Sequence, residues 1–347
     1  MRSFFLAAAL ALPMFATAQA PGTRVLVDCH NCYPYHGDWN DRIDRALATG
    51  VPVAIEQDLT WYVAPDGKGR IVVSHEKKLS GKEPTLEDYF FKRIQPYADK
   101  ALQDGVRDNW PIITLNLDLK TEQPQMLQAL WKLIESHRDW LAYAVKPSDP
   151  KAVTPIFNAG PVLILTGRSD AQEKVFYTDR PVGSKLYVFG AVHSDDEAVT
   201  APPDVVMSES ATTYRRWWNN PWKVIEGVQQ PRTGEWTPAH DARLKAFVDL
   251  AHRKGLWLRF YTLDGGPPAL FKQNGWFDNY NFGSLVRAQA RWRAATLAGV
   301  DFIASDQVEE LSKVVKSGGK YPGIVPDNPG NPLIKTPYPG DSKVQYK

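Results

Sequence analysis

Residues 111–120 read PIITLNLDLK, an apolar run that ends on charged side chains. Residues 51–60, VPVAIEQDLT, have the same form. Short runs rich in Val, Ile and Leu are typical of parallel strands that are covered on both faces. Because each run ends on carboxylates, we expect ionisable groups to collect at one edge of the sheet. Residues 51–59 and 111–119 are therefore predicted to be buried strands that lead into a functional site.

Other segments share this apolar character, and one of the candidates is expected to lie outside the main sheet. They are residues 24–29, 70–74, 161–166, 186–192, 204–207, 255–262 and 300–304. Helical periodicity lies between several of them, in residues 41–49, 124–137, 237–253 and 284–298. Alternating strands and helices imply a parallel sheet, and about eight such units over this length predict an α/β fold, a closed (β/α)8 TIM-type barrel. An open doubly wound sheet is disfavoured, since no Gly-x-Gly-x-x-Gly follows the first strand.

The two ends of the chain differ from the barrel segment. Residues 1–20 combine Arg2, an apolar run and the small residues ATAQA, a pattern typical of a secretory signal peptide. Residues 21–316 are predicted to form a single barrel domain, and residues 317–347 a tail rich in Pro and Gly. We therefore expect a protein that is secreted or periplasmic.

The composition limits the possible partners. A formal net charge of +2 gives no field strong enough to favour nucleic acid. After the first twenty residues, no run is long and apolar enough for a transmembrane helix. No obligate protein partner is evident. Cys29 and Cys32 could form a disulfide in an exported protein or remain free, and their spacing leaves both possibilities open.

One segment, residues 212–236, interrupts the alternation of strands and helices and is interpreted as a Trp-rich insertion. It contains four tryptophans among arginines and prolines, namely Trp217, Trp218, Trp222 and Trp236. Such a loop suits peripheral contact with a membrane, a glycan, or a lid over the barrel mouth. Burial of the tryptophans in a satellite core is the remaining alternative.

Polar side chains end four consecutive predicted strands. They are His30 and Asn31, Glu56 and Asp58, His75, and Asp118 and Lys120. The carboxyl ends of the strands of a (β/α)8 barrel meet at one mouth, where active sites lie. Side chains alternate along a strand, so Glu56 and Asp58 share one face. The sequence therefore predicts that these groups converge.

The carboxylates of Glu56, Asp58 and Asp118 would repel one another unless a positive charge lay between them. A hard divalent cation with oxygen ligands meets that need. We therefore expect one Ca²⁺ or Mg²⁺ ion held by these three residues, with the amide oxygen of Asn31 as a neutral ligand.

His30 and His75 remain beside the expected metal and are the candidate catalytic residues. Two histidines on either side of a phosphorus can act as general acid and general base. The metal would stabilise charge on the phosphoryl oxygens. Lys120, Arg168 and Arg259 are candidates for substrate binding through the phosphate, with ordinary ion pairs as the alternative for both arginines.

These motifs together resemble the PLC-like phosphodiesterase superfamily, which includes phosphatidylinositol-specific phospholipases C, glycerophosphodiester phosphodiesterases and sphingomyelinase D type phospholipases. The pair His30-Asn31 resembles the His-Asn of calcium-dependent phospholipases C. Residues 56–58 resemble the Glu-x-Asp metal pair, and residues 74–75 the segment with the second catalytic histidine. Residues 117–120 resemble the segment that supplies a third carboxylate and a lysine. Glycerophosphodiesterases usually have His-Arg-Gly at the first strand, which is His-Asn-Cys at residues 30–32 here.

The resemblance implies hydrolysis of a phospholipid or glycerophosphodiester-type substrate by histidine acid/base catalysis, with a cyclic phosphate as a possible product. The alternative is a non-catalytic extracytoplasmic lipid- or glycan-binding protein on the same barrel. A binding protein would have no need of both His30 and His75. A zinc amidohydrolase would require a His-x-His pair at the first strand, which the sequence lacks.

Overall fold

A closed barrel of parallel strands lies at the centre of the protein. The computed structural model describes Thr17 and residues 19–34, 39–76 and 78–320. The strands in these residues are β1 (Leu26–Cys29), β2 (Val53–Val63), β3 (Gly69–Val73), β4 (Ile113–Leu119), β5 (Tyr143–Val145), β6 (Ile156–Phe157), β7 (Val162–Thr166), β8 (Lys185–Leu186), β9 (Val188–Ala191), β10 (Arg215–Pro221), β11 (Trp257–Tyr261) and β12 (Phe302–Ser305). The parallel ring runs β1, β2, β4, β7, β9, β10, β11, β12 and closes on β1. This topology confirms the predicted (β/α)8 barrel.

Helices connect the strands around the outside of the ring. They are α1 (Arg42–Ala48), α2 (Lys92–Asp104), α3 (Pro124–Ser136), α4 (Asp170–Glu173), α5 (Pro203–Val206), α6 (Lys223–Glu226), α7 (Pro238–Arg253), α8 (Pro268–Asn274), α9 (Leu285–Ala298) and α10 (Val308–Lys316). Short turns of π-helix occur at Glu87–Phe91 and Lys174–Thr178, and 3₁₀ turns at Arg138–Trp140, Gln230–Arg232 and Asp278–Tyr280. None of the helices in the described ranges is both long and apolar enough to cross a membrane.

Side-chain caps begin α7 and α9, and a glycine ends α9. The Thr237 side chain accepts a hydrogen bond from the backbone N–H of His240 and caps α7. The Ser284 side chain caps α9 in the same way by accepting from the N–H of Arg287. Gly299, with φ of 84°, ends α9 in the left-handed conformation that glycine adopts most easily.

The barrel interior is apolar at one end and polar at the other. Leu26, Ala54, Leu163, Phe189, Trp217 and Phe302 belong to one buried apolar cluster with residues of the small antiparallel sheet β6-β5-β8. Each of these barrel residues lies early in its strand or at its middle. A second, larger apolar cluster packs the helices against the outside of the ring. The apolar end stabilises the barrel and leaves the opposite mouth for polar side chains.

Two of the predicted strands are not barrel strands. Residues 69–73 form β3, which pairs antiparallel with β2 outside the ring. The connection after Val63 is too short for a parallel crossover, so the chain turns back as a hairpin. Residues 203–206 form α5, because Pro203 at the first helical turn has the φ angle that a helix requires and no N–H to satisfy.

The interpretation of residues 212–236 as an insertion is wrong, because this segment contains the barrel strand β10. Trp217 packs inside the barrel, and Trp218 stacks on Phe247 of α7 with ring centroids 5.1 Å apart. Trp222 is fully buried as well. These side chains are not accessible to a bilayer, so the expectation of membrane contact through this segment loses its basis. Trp217, Trp218 and Trp222 are buried in the barrel and its main core, not in the satellite core that was the alternative.

A disulfide closes a short loop at the end of β1, the first barrel strand. Cys29 and Cys32 form a disulfide with their Cα atoms 5.3 Å apart. His30 and Asn31 lie between the two bonded cysteines, and Asn31 has a φ of 47°. The bridge therefore restrains the backbone that carries both side chains. Most of the predicted signal peptide and residues 321–347 of the predicted tail lie outside the described residues.

Candidate active site

The pairing of β2 with β4 brings the predicted carboxylates together at the barrel mouth. Asp58 lies directly opposite Asp118 in the parallel register, and Glu56 lies opposite Asn116. One carboxylate oxygen from each of Glu56, Asp58 and Asp118 lies within 4.8 Å of the others. Glu56 and Asp58 are buried, whereas the Asp118 side chain is 47% exposed. The carboxylates form a cluster that is open to solvent on one side.

Lys120 lies against this cluster and balances part of its charge. Its Nζ atom is 3.0 Å from an Asp58 oxygen and 2.8 Å from an Asp118 oxygen. Burial, together with the charge of Asp118, nevertheless raises the pKa of Asp58 to about 8. The single ammonium group of Lys120 therefore does not balance the negative charge of the three carboxylates. Oxygen donors with this excess negative charge fit a hard divalent cation such as Ca²⁺ or Mg²⁺.

Glu56 is held from its other side by protein groups. Its Oε2 atom accepts a hydrogen bond from the backbone N–H of Asn31 at 3.0 Å and lies 3.3 Å from Nη2 of Arg259. Burial alone would raise the pKa of Glu56, but Arg259 and His30 outweigh it and hold the pKa at about 2. Among the described residues, its Oε1 atom receives one long hydrogen bond, 3.4 Å, from Asn116. Glu56 is thus an ionised carboxylate with one oxygen fixed by the protein.

His30 lies buried between two carboxylates. Its Nδ1 atom is 3.2 Å from Asp306 Oδ1, and its Nε2 atom is 3.6 Å from Glu56 Oε2. Burial disfavours the charged ring, yet Glu56 and Asp306 more than compensate and raise the pKa of His30 to about 9. The protonated imidazole is therefore stabilised at this position.

Asp306 is a site residue that the sequence reasoning did not assign. It follows β12 directly, and residues four apart on a strand share a face, so Asp306 lies above Phe302 of the barrel interior. The strand-end rule that selected Glu56 and Asp118 would have selected Asp306 too. Asp264 is a further unassigned carboxylate, and it accepts hydrogen bonds from Ser305 Oγ and from the N–H of Asp306.

Asn31, predicted as a metal ligand, takes part in this hydrogen-bond network. Its amide nitrogen donates to Asp306 at 3.0 Å and lies 3.0 Å from Nδ1 of His30. Its amide oxygen accepts a hydrogen bond of 2.7 Å from the Tyr33 hydroxyl. In this structure Asn31 therefore orients the pair formed by His30 and Asp306, and its oxygen is engaged by Tyr33.

His75 reaches the mouth from the hairpin, just after the end of β3. It is partly exposed, and burial followed by the charge of Lys120 lowers its pKa. Its ring lies 5.9 Å from that of Phe277. The two histidines thus differ in environment, because His30 is surrounded by carboxylates and His75 lies near an ammonium group.

The two predicted phosphate-binding arginines have different environments. Arg259 is only 1% exposed, and its guanidinium donates to Asp28 and to Asn219 and pairs with Glu56. These protein contacts engage the Arg259 guanidinium, and its binding of phosphate stays a prediction. Arg168 follows β7, is exposed, and forms no ion pair with any of the residues described.

Comparison with known proteins finds likeness only among solved structures. A glycerophosphoryl diester phosphodiesterase from Parabacteroides distasonis ATCC 8503 is similar at 15% identity and a TM-score of 0.42, over 87% of this chain and 89% of that one. The 7,8-dihydropteroate synthase from Vibrio fischeri ES114 is similar at 15% identity and a TM-score of 0.35, over 86% and 93%. No family model and no curated protein matches the sequence. The assignment of the barrel therefore rests on the strand pairing of this chain.

Proposed function

We propose that this protein is a divalent-metal-dependent phosphoric diester hydrolase that acts on a phospholipid or glycerophosphodiester-type substrate. The observation that carries the proposal is the convergence of Glu56, Asp58 and Asp118, with oxygens within 4.8 Å, beside two histidines at the carboxyl end of the barrel. A carboxylate cluster alone is common at protein surfaces. Buried carboxylates that adjoin a carboxylate-held histidine are costly for folding, which supports a catalytic purpose.

Glu56, Asp58 and Asp118 would hold the cation, either Ca²⁺ or Mg²⁺. When bound, the cation would supply positive charge to the phosphoryl oxygens. Lys120, 26% exposed and fixed by two carboxylates, adds a second positive charge at the same place. The developing charge of a phosphoryl transition state would thus meet groups that are already oriented.

The two histidines would move the protons. His30, with a carboxylate at each ring nitrogen, is suited to hold a proton and give it to the leaving oxygen. His75, partly exposed to solvent and near Lys120, is suited to accept a proton from the attacking hydroxyl or water. Asp306 keeps the His30 ring in place. The attacking group is either a substrate hydroxyl, which gives a cyclic phosphate, or water.

We further propose that the protein acts outside the cytoplasm. The signal-like residues 1–20 are one support for this proposal. The disulfide between Cys29 and Cys32 is the other, because such bonds persist mainly in oxidising compartments.

Site variants test the proposal. Hydrolysis of bis(p-nitrophenyl) phosphate and of a phospholipid panel is measured with Mg²⁺ or Ca²⁺, and ³¹P NMR identifies the product. Asp58→Asn and His30→Ala are each expected to lower kcat/KM by about 100-fold or more. Asp66→Asn, in the exposed turn after β2, and His240→Ala, on α7, are the matched controls. Wild-type rates in Asp58→Asn and His30→Ala would refute the assigned site.

A further inference from the structure

A row of aromatic rings crosses the barrel mouth between the two candidate catalytic histidines. Tyr261, at the end of β11, lies nearly parallel to His30 at 5.9 Å between ring centroids. Tyr280 contacts His30 at 5.8 Å and Phe277 at 5.4 Å. Phe277 in turn lies 5.9 Å from His75. We call Tyr261, Tyr280 and Phe277 the aromatic wall.

The segment that carries the wall is anchored by buried rings. Trp276 is 7% exposed and packs edge-on against Phe271 of α8 at 5.2 Å. Trp39 stacks on the same indole at 6.2 Å. The 3₁₀ turn Asp278–Tyr280 follows at once, so the position of Phe277 is set by its buried neighbour.

Phe277 is nevertheless 40% exposed. It lines a small pocket together with Asn31 and Asp306, so its ring borders the hydrogen-bond network of His30. A single exposed phenylalanine is ordinary at a protein surface. An exposed phenylalanine fixed by a buried anchor, beside a polar site that must receive a ligand, leaves apolar surface for that ligand to cover.

The opposite side of the mouth has a different character. Asp118 and Lys120 lie there, paired at 2.8 Å and partly exposed to water. A phosphodiester has two substituents, one on each side of the phosphorus. With the phosphate at the cluster of Glu56, Asp58 and Asp118, one substituent would face the charged groups and the other would face the rings of the aromatic wall.

We infer that the aromatic wall binds an apolar substituent of the substrate and makes the enzyme prefer phosphodiesters that carry an acyl chain or an aryl ring over bare glycerophosphodiesters. This inference rests on the proposed phosphodiesterase function. Contact with Phe277 and Tyr280 removes the apolar surface of an acyl chain or aryl ring from water, which favours binding. A glycerol group has little apolar surface and gains little from the same contact. The chemistry recognised is the apolar face, whether it comes from a lipid or from an aryl ester.

The test compares substrates that differ only in the apolar group. Lysophosphatidylcholine, used below its micelle concentration, and glycerophosphocholine share the phosphodiester and the choline, and differ in the acyl chain. Bis(p-nitrophenyl) phosphate supplies the aryl arm. The quantity compared between variants is the ratio of kcat/KM for the acylated substrate to kcat/KM for the deacylated one, all with saturating metal.

Phe277→Ala is expected to lower this ratio about 10-fold, the scale by which apolar contacts discriminate substrates. Phe277→Tyr keeps the ring and is expected to restore the ratio. Leu297→Ala, which removes an exposed apolar side chain on α9, controls for a general loss of surface hydrophobicity. A loss for bis(p-nitrophenyl) phosphate alone would assign the wall to aryl substituents and not to acyl chains.

An equal loss for lysophosphatidylcholine, glycerophosphocholine and the aryl ester in Phe277→Ala would contradict a selective wall while leaving the phosphodiesterase intact. A wild-type preference for glycerophosphocholine would overturn the inference in the same way. If the wild-type protein hydrolysed no phosphodiester at all, the proposed function would be refuted and the inference with it. The wild-type rates therefore separate the two failures.

Discussion

Asp306 acts on the candidate chemistry through His30, which it contacts at Nδ1. Asp306 is 1% exposed. It accepts a hydrogen bond from the side-chain amide of Asn31 and forms an ion pair with Arg42. A buried carboxylate in this position fixes the ring orientation and stabilises the charged imidazole. We therefore regard Asp306 as a positioning residue for His30.

Asp306→Asn tests this role. The amide can still occupy the same space, but it no longer supplies the charge that stabilises the protonated ring. We expect kcat to fall about 10- to 100-fold with a smaller change in KM. The pH dependence of kcat should also shift, since the ring loses one of its two carboxylates. An unchanged pH profile and unchanged kcat would contradict the assigned role.

Arg259 neutralises two buried carboxylates, Asp28 and Glu56. Arg259→Met keeps similar volume and leaves both carboxylates without their cation. The free energy of unfolding is expected to fall by about 3–5 kcal/mol, as measured for broken buried pairs. Urea unfolding checks this, with Arg253→Met on the exposed face of α7 as control. A loss no larger than that of the control would show that other groups balance the charge.

Asp264 makes the stability of the folded protein depend on pH, and the pKa of Asp264 sets the sign of that dependence. Burial and the neighbouring Asp306 raise its pKa from 3.8 to about 7, so between these values the folded state binds more protons than the unfolded state. Stability therefore falls as pH rises through this range. Asp264→Asn, whose amide oxygen can still accept from Ser305, should remove this component. Urea unfolding at pH 4.5 and pH 7.5 should show the variant gaining relative to wild type at the higher pH, and an equal difference at both values would contradict the assignment.

At the scale of elements, strand β10 is the part of the barrel that sequence patterns could not reveal. Its residues 215–221 read RRWWNNP, which is too polar for a buried parallel strand. Two of its polar side chains have tertiary partners: Arg215 pairs with Glu173, and Asn219 accepts a hydrogen bond from Arg259. These partners are distant in sequence, so periodicity alone could not identify them. Strands β2, β4, β7 and β12 contain apolar runs and were predictable from them.

Substitution of tryptophans distinguishes a barrel strand from a surface loop. Trp217 is 1% exposed inside the barrel, and its Nε1 atom donates to the carbonyl of Thr166. Trp217→Ala is expected to lower the free energy of unfolding by about 3–5 kcal/mol. Trp236→Ala, in the same segment but only partly buried, should cost less, as urea unfolding would show. Equal small losses would contradict the placement of β10 in the barrel.

At the scale of the whole molecule, the barrel explains which site residues were predictable. Glu56, Asp58 and Asp118 follow from two rules, alternation along a strand and convergence of strand ends at one mouth. His75 was expected at a barrel strand but reaches the mouth from a hairpin. The aromatic wall depends on the conformation of the segment after β11, which no local pattern in the sequence specifies.

A metal titration of the activity tests directly whether the site at the barrel mouth depends on a metal. The protein is stripped with EDTA, and hydrolysis of bis(p-nitrophenyl) phosphate is followed as Mg²⁺ or Ca²⁺ is added to wild type and to Asp58→Asn. A metal-dependent site predicts negligible turnover without metal, saturable recovery in the wild type, and no recovery in Asp58→Asn at the same concentrations. Full turnover in EDTA, or equal recovery in both proteins, would contradict a metal-dependent site at the barrel mouth.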